Sequence, residues 1–261
     1  MNPSETPCGP ESRLLYLSGR YLAVNKLPGE AVEGAGPGMT DLPRLLTERY
    51  GTEELSGEKG RPFPVTAVHR LDVPVSGCIL FARTRAALTV ASFLFAKNAG
   101  GVEKRYWAVV ETPRSSTGRE HPCPLPETGE LVHWIYHDGR RNKSIAFDTD
   151  GPGRRRGILR YRIAGYGNHY LFLEIEPATG RSHQIRAQLA ALGLHVKGDL
   201  KYGARRSERN GGIRLHARSL AFQDPLPEGE TIRVIAPPPV RDRLWEDFEK
   251  CASGDRQDGE Q

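Results

Sequence analysis

A chain of 261 residues is long enough to bury a sizeable core, as one large domain or two small ones, and its 29 Gly and 20 Pro point to a loop-rich α+β protein rather than a helical bundle. Lys and Arg outnumber Asp and Glu by 37 to 32, a formal charge of +5, and no apolar run approaches the ~20 residues needed to cross a bilayer. The four cysteines, Cys8, Cys78, Cys123 and Cys251, are scattered without a Cys-x-x-Cys or Cys/His cluster, which argues against a disulfide framework and a structural zinc site.

Met1 to Glu11 is polar and Pro-rich, without a basic segment followed by an apolar one, so a disordered start (1–11), no signal peptide and a reduced cytoplasmic setting are expected. Leu14–Leu17 and Tyr21–Asn25 read as two strands joined by Ser18-Gly19-Arg20, a hairpin signal. A Gly-rich loop spans 29–38, and a helix follows over 41–50 with Asp41 as cap and Pro43 in its first turn. A polar linker covers 51–62. Gly77–Arg83 is a buried strand; Thr84 then caps a helix whose face is Leu88, Ala91, Leu94 and Phe95, closed by Asn98–Gly101. A strand at 103–111 and a long loop at 112–129 come next. Further strands are expected at 131–136, 143–148, 157–166 and 169–176, then a helix over 182–192 with Ile185, Leu189 and Leu192 as its core stripe. Strands at 214–222 and 231–235, a stop at Pro237-Pro238-Pro239, a helix over 240–250 and a mobile tail over 251–261 complete the chain. Hairpins dominate and no βαβ alternation occurs. The expected fold is α+β, a few helices on a largely antiparallel sheet, with one catalytic domain over 12–250.

Three arginine clusters stand out: Arg140-Arg141, Arg154-Arg155-Arg156 and Arg205-Arg206. Each alone reads equally well as a solvated loop. Together they make an anionic partner reasonable, and RNA is the obvious candidate.

The stretch Val68-His69-Arg70-Leu71-Asp72-Val73-Pro74-Val75-Ser76-Gly77 places Asp72 in a loop between two apolar runs, beside Arg70. A carboxylate held beside a guanidinium stays ionised and oriented, which suits a nucleophile or a base. His-Arg-Leu-Asp followed by Ser-Gly resembles the catalytic motif of the RluA-type pseudouridine synthases. Lys104-Arg105-Tyr106-Trp107-Ala108-Val109-Val110, Thr179-Gly180-Arg181-Ser182-His183-Gln184-Ile185-Arg186, Gly198-Asp199-Leu200-Lys201-Tyr202-Gly203 and Leu215-His216-Ala217 resemble further motifs of that family, in the same order. The chain departs from the pattern at Val75, where threonine is usual, and at Leu27, an extra residue inside Asn25-Lys26-Leu27-Pro28-Gly29.

The resemblance implies the pseudouridine synthase fold, an extended mixed and mostly antiparallel sheet in two halves with flanking helices and a central catalytic cleft. It implies isomerisation of uridine in ribosomal or transfer RNA with no cofactor and no metal, by a monomer lacking the upstream RNA-binding domain of some members. Asp72 becomes the catalytic carboxylate, whether by attack on the sugar, attack on the ring or removal of a ribose proton. Arg186 becomes its ion-pair partner, although helical spacing alone would put Arg186 on a solvated side. Tyr106 becomes the ring that packs against the target base, although a lone strand aromatic is more often core. Arg70 fills the space of the flipped base or touches a phosphate, or else forms a structural salt bridge. Arg181 and His183 join the RNA-binding set, and His69, His183 and His216 read as hydrogen-bonding residues rather than metal ligands. The competing readings are a catalytically silent RNA-binding protein on the same fold and a metal-dependent RNA nuclease or deaminase, which would need a carboxylate or His/Cys cluster.

Overall fold

The computed structural model describes residues 9–51, 63–97, 101–112, 125–225 and 229–254. In chain order the strands are β1 (Leu14–Leu17), β2 (Tyr21–Lys26), β3 (Glu30–Ala31), β4 (Thr40–Asp41), β5 (Thr66–Ala67), β6 (Ser76–Ala82), β7 (Val102–Glu111), β8 (Thr128–Asp138), β9 (Lys143–Phe147), β10 (Arg154–Tyr166), β11 (Tyr170–Pro177), β12 (His195–Val196), β13 (Leu215–Gln223) and β14 (Thr231–Ile235). The α-helices are α1 (Leu42–Tyr50), α2 (Arg85–Lys97), α3 (Gln184–Ala191) and α4 (Arg243–Gly254). Among the described residues no helix is long and apolar enough to cross a membrane.

The elements form two compact units, Met1–Glu103 with Ala217–Pro239, and Lys104–His216 with Val240–Gln261. In the first, β2 is buried along its whole length between β1 and β6, both antiparallel to it. A strand covered on both faces reads as a continuous apolar run, which is what Tyr21-Leu22-Ala23-Val24 is. Its core joins Tyr21, Cys78 and Leu80 to Leu220 and Phe222 of β13, Ile232 and Val234 of β14, and Ala87 and Ala91 of α2. Both expected caps are in place: the Asp41 carboxylate accepts from the Arg44 amide at 3.2 Å, and the Thr84 hydroxyl from the Ala87 amide at 3.0 Å.

In the second unit β7, β11, β10, β8 and β9 lie side by side in that order, each antiparallel to the next. The helix α3 covers one face. Its Gln188 amide donates to the carbonyls of Leu131 at 3.1 Å and Gly157 at 3.3 Å, and a Cβ on Gly157 would lie 2.8 Å from Ile135, so the helix side of β10 tolerates no side chain there. On the other face α4 packs Trp245 and Phe248 against Trp107, Val109, Ala164 and Phe172. The sheet residues of that cluster come from β7, β11 and the neighbouring end of β10.

Several expectations need correction. Arg154–Arg156 is not a loop but the start of β10, paired residue for residue with Tyr136, Ile135 and Trp134. A charge run reads as a loop because it lacks alternation, yet a strand with one solvated face carries charge there freely. Pro10–Arg13 forms a 3-10 turn, and residues 251–254 extend α4, with Ala252 buried and Cys251 against Gly165. The pairings of β3 with β4, β5 with β6 and β12 with β7 involve two residues a strand, too short to show a period. The termini 1–8 and 255–261, most of the linker, the helix stop at 98–100 and the loop 113–124 lie outside the described residues.

Gly77 carries the tightest backbone approach. It has φ +116°, and a Cβ there would sit 2.4 Å from the Ala217 carbonyl oxygen. Gly77→Ala adds left-handed strain to a clash with backbone that cannot move away, and is expected to cost on the order of 3 kcal/mol. Thermal melts followed by circular dichroism should show a Tm lower by roughly 10 °C. Gly19→Ala, which meets nothing within 4 Å, should leave Tm unchanged.

Candidate active site

Asp72 sits half-buried in the loop leading from β5 to β6. The Val75 amide donates to the Asp72 carbonyl at 3.0 Å and closes a turn, while Leu71, Val75 and Ser76 are buried on either side. Before the turn, His69 accepts from the Leu80 amide at 3.2 Å and stacks on Phe95 with ring centroids 5.0 Å apart, a structural position.

Lys26, at the end of β2, holds this loop from beneath. Its side chain is fully buried, and Nζ donates to the carbonyls of Leu27 at 3.0 Å, Val73 at 3.0 Å and Val75 at 2.7 Å. An ammonium has three donors, and all three are engaged. The Gly29 amide also donates to Val73, at 2.9 Å. Burial pulls Lys26 down from 10.5 to about 8, while the charges of Glu30 and Asp72 oppose the fall. Glu30 is itself clamped: its carboxylate accepts from Arg13 at 2.7 and 2.9 Å and from the Leu27 amide at 2.7 Å. Sequence reasoning noted the Lys26 motif only for its extra leucine. A lysine at the end of a mainly apolar strand, one residue before Pro28-Gly29, is the available signal.

Arg70 is two-thirds exposed, and its ion pair is with Glu33 at 3.7 Å, a surface contact worth little to stability.

In the second unit, α3 begins at His183, which adopts the left-handed conformation with φ +51°, uncommon for a residue with a side chain. The start is held tightly: the Gln184 side-chain oxygen accepts from the Thr179 hydroxyl at 2.7 Å and the Arg181 amide at 2.9 Å, and its nitrogen donates to the Ile158 carbonyl at 3.0 Å. Arg181 also donates from Nε to the Arg156 carbonyl at 3.0 Å. Arg186 does not lie on a solvated side. Every residue from Gln184 to Leu189 is buried, and Arg186 is 4 % exposed. Its Nε and Nη2 donate to Asp199 at 2.6 and 2.8 Å, and its guanidinium lies 4.7 Å from the centre of the Tyr202 ring. The Tyr202 hydroxyl meets His183 Nδ1 at 3.0 Å and accepts from the Ser144 amide at 2.8 Å. His183 and Arg186 thus share one support, built from the Gly198–Gly203 motif. Asp199 and Tyr202 escaped sequence reasoning because nothing local separates a structural acid from a solvated one.

Tyr106 is half-buried in the middle of β7, opposite Ile175 of β11. Lys104, two residues earlier and so on the same side of the strand, is pulled below its usual value by burial. Among the described residues no group of three or more His, Cys, Asp or Glu side chains is placed to hold a metal ion.

Residues 20–191 match the family model described as RNA pseudouridylate synthase. The chain is 29% identical over 204 residues to RNA pseudouridine synthase 4, mitochondrial, of Arabidopsis thaliana, an alignment covering 74% of this chain and 41% of that protein. It is 28% identical to the dual-specificity RNA pseudouridine synthase RluA of Pasteurella multocida, covering 89% and 95% of the two chains. The chain therefore spans about two-fifths of the plant relative and nearly all of the bacterial one. Among solved structures, human RNA pseudouridylate synthase domain containing 1 superimposes with a TM-score of 0.65 at 23% identity, over 95% of this chain and 90% of that one, which shows a shared fold.

Unfolding releases Lys26 to titrate near 10.5, whereas in the folded chain it titrates at about 8. Below pH 8 both states hold the proton and the slope is zero. Between pH 8 and 10.5 the unfolded state binds more protons, so stability gains with rising pH. Denaturant titrations of the parent minus those of Lys26→Met should show this gain, and a flat difference would remove the buried ammonium. Arg186→Met strands a buried Asp199 and should cost about 3–5 kcal/mol. The double variant Arg186→Met/Asp199→Leu should recover most of that loss, as read by urea midpoints.

Proposed function

Because the chain belongs to the RNA pseudouridylate synthase family and is of the RluA type, we propose that it isomerises specific uridines of ribosomal or transfer RNA in the cytoplasm, with Asp72 as the catalytic carboxylate. The reaction breaks the bond from ribose to ring nitrogen, turns the uracil and rejoins it through carbon 5. It is redox-neutral, and it needs a carboxylate near the anomeric carbon, a surface that holds the loosened base and a means of extracting the nucleotide from its stack.

The observation that supports the reading best is the Asp72 loop itself. Its carbonyls are tied to a buried ammonium, so the carboxylate is presented on a fixed support rather than on a free turn. In this reading Arg186 is the catalytic arginine, and Asp199 fixes the plane of its guanidinium. Tyr106 supplies a flat ring for the base. Arg70, exposed and weakly paired, and Arg181 and His183 at the start of α3 contact the RNA. The full set speaks against a silent RNA-binding protein, which would have no need of a buried apparatus around one loop.

Rejoining at carbon 5 displaces the hydrogen there. RNA labelled with tritium at that carbon, taken from cells lacking the gene, therefore reports turnover as released tritium. Asp72→Asn keeps size and fold but not the carboxylate, and should release none above background. Release at the parent rate by a folded Asp72→Asn protein would end the assignment. Tyr106→Phe should lose most turnover while keeping RNA affinity, and Tyr106→Ala should lose both, the ring being worth roughly 1–3 kcal/mol per stacked base. A tyrosine serving only the core would instead show Tm and activity falling together.

A further inference from the structure

Among the described residues, part of one face of the second-unit sheet carries exposed side chains. Even-numbered residues of β10 from Arg154 to Arg162 point away from Gly157, and so away from α3. On that side α4 packs on Ala164, Phe172 and Trp107, and no residue of β8 or β9 belongs to that cluster. Register aligns two rows across the three outer strands there. Ile145, Tyr136 and Arg154 form one row; Phe147, Trp134 and Arg156 form the next. Tyr136 is 41% and Ile145 42% exposed, Trp134 and Phe147 are partly exposed, and Arg156 stands in solvent. The Arg154 guanidinium lies 3.7 Å from the centre of the Phe147 ring and donates to the Thr149 carbonyl at 2.9 Å, so it is held flat on the surface. The acids of this face are already answered, Glu130 by Arg160 at 3.3 Å and Glu174 by Arg162 at 2.7 Å.

We propose that this face is a second RNA site, a stacking platform on which Trp134 and Tyr136 take bases of a single-stranded segment while Arg154 and Arg156 take its phosphates. Partly exposed apolar and aromatic side chains grouped on one sheet face mark an interaction surface. Each aromatic row ends in an arginine, whereas the centre of a protein–protein interface is depleted of charge. Rings and guanidinium groups interleaved on a flat sheet suit unpaired bases joined by phosphates. The rows are about 7 Å apart along the strands, room for one splayed base on each. The proposal rests on the isomerase reading for the identity of the polymer, and adds that the substrate has a single-stranded stretch beside its target uridine.

The test uses a fluorescein-labelled twelve-residue oligoadenylate, which contains no uridine and requires no turnover. Of the three tryptophans, Trp107 and Trp245 are 6% and 2% exposed, so quenching by unlabelled oligoadenylate reports Trp134. The parent should bind and be quenched, and Trp134→Phe should lose the quenching. Trp134→Ala and Tyr136→Ala should each weaken binding at least about fivefold by anisotropy. Arg156→Gln should lower the slope of log affinity against log salt by about 0.7. Should Trp134→Ala misfold, Tyr136→Ala and Arg156→Gln, both at exposed positions, decide the matter. Unchanged affinity and slope in those two would overturn the platform. So would a parent dimer, seen by sedimentation, that Tyr136→Ala dissolves while oligoadenylate binding persists. Quenching retained in a protein that never releases tritium would sink the isomerase reading and leave the platform standing.

Discussion

A buried ammonium is an expensive device, and the first unit is arranged around one. Lys26 spends all three of its donors on backbone carbonyls, two of them in the loop that carries Asp72. Glu30 stands near it as counter-charge and is fixed by Arg13, which also donates to the Asn25 carbonyl at 2.8 Å. The Asn25 side chain in turn donates to the Pro237 carbonyl at 2.8 Å, tying the late strands to the early ones. Loops at catalytic positions are usually the least stable parts of a fold. Here the loop is tied to a strand buried along its whole length, so that the position of the Asp72 carboxylate and fold stability share the same bonds.

The second unit solves the corresponding problem differently. Its support is a helix start rather than a strand end. Gln184 and Gln188 hold α3 to carbonyls of β8 and β10, which lets α3 bury an arginine on a face that would otherwise be apolar. The Arg186–Asp199 pair is hydrogen-bonded twice and roofed by Tyr202, the condition under which a buried pair does not destabilise the fold. A pair of this kind adds little stability over apolar residues.

Where the sequence had period or punctuation, it could be read. The β1–β2 hairpin, the caps at Asp41 and Thr84, and the strand Thr231–Ile235 ahead of three prolines all stand where local chemistry puts them. Short pairings such as β3 with β4 offered no period, and Arg154–Arg156 hid a strand behind its charge. For the proposed site, Asp72, Tyr106 and Arg186 rest on motif resemblance alone, because a loop acid, a strand tyrosine and an off-stripe arginine look ordinary singly. Helical spacing even misplaced Arg186, since α3 is buried on all sides from Gln184 to Leu189 and has no solvated face there to assign it to. Lys26, Asp199 and Tyr202 were out of reach for a related reason: their meaning lies in partners distant along the chain.

The proposed conversion of uridine to pseudouridine in RNA depends on the Asp72 carboxylate. It is tested most directly by carbodiimide modification and primer extension across total RNA from three strains: one lacking the gene, one restored with the parent and one restored with Asp72→Asn at equal protein level. The account predicts at least one stop that disappears with the gene, returns with the parent and stays absent with Asp72→Asn. A stop restored equally by both proteins, or a pattern identical in all three strains, would contradict it.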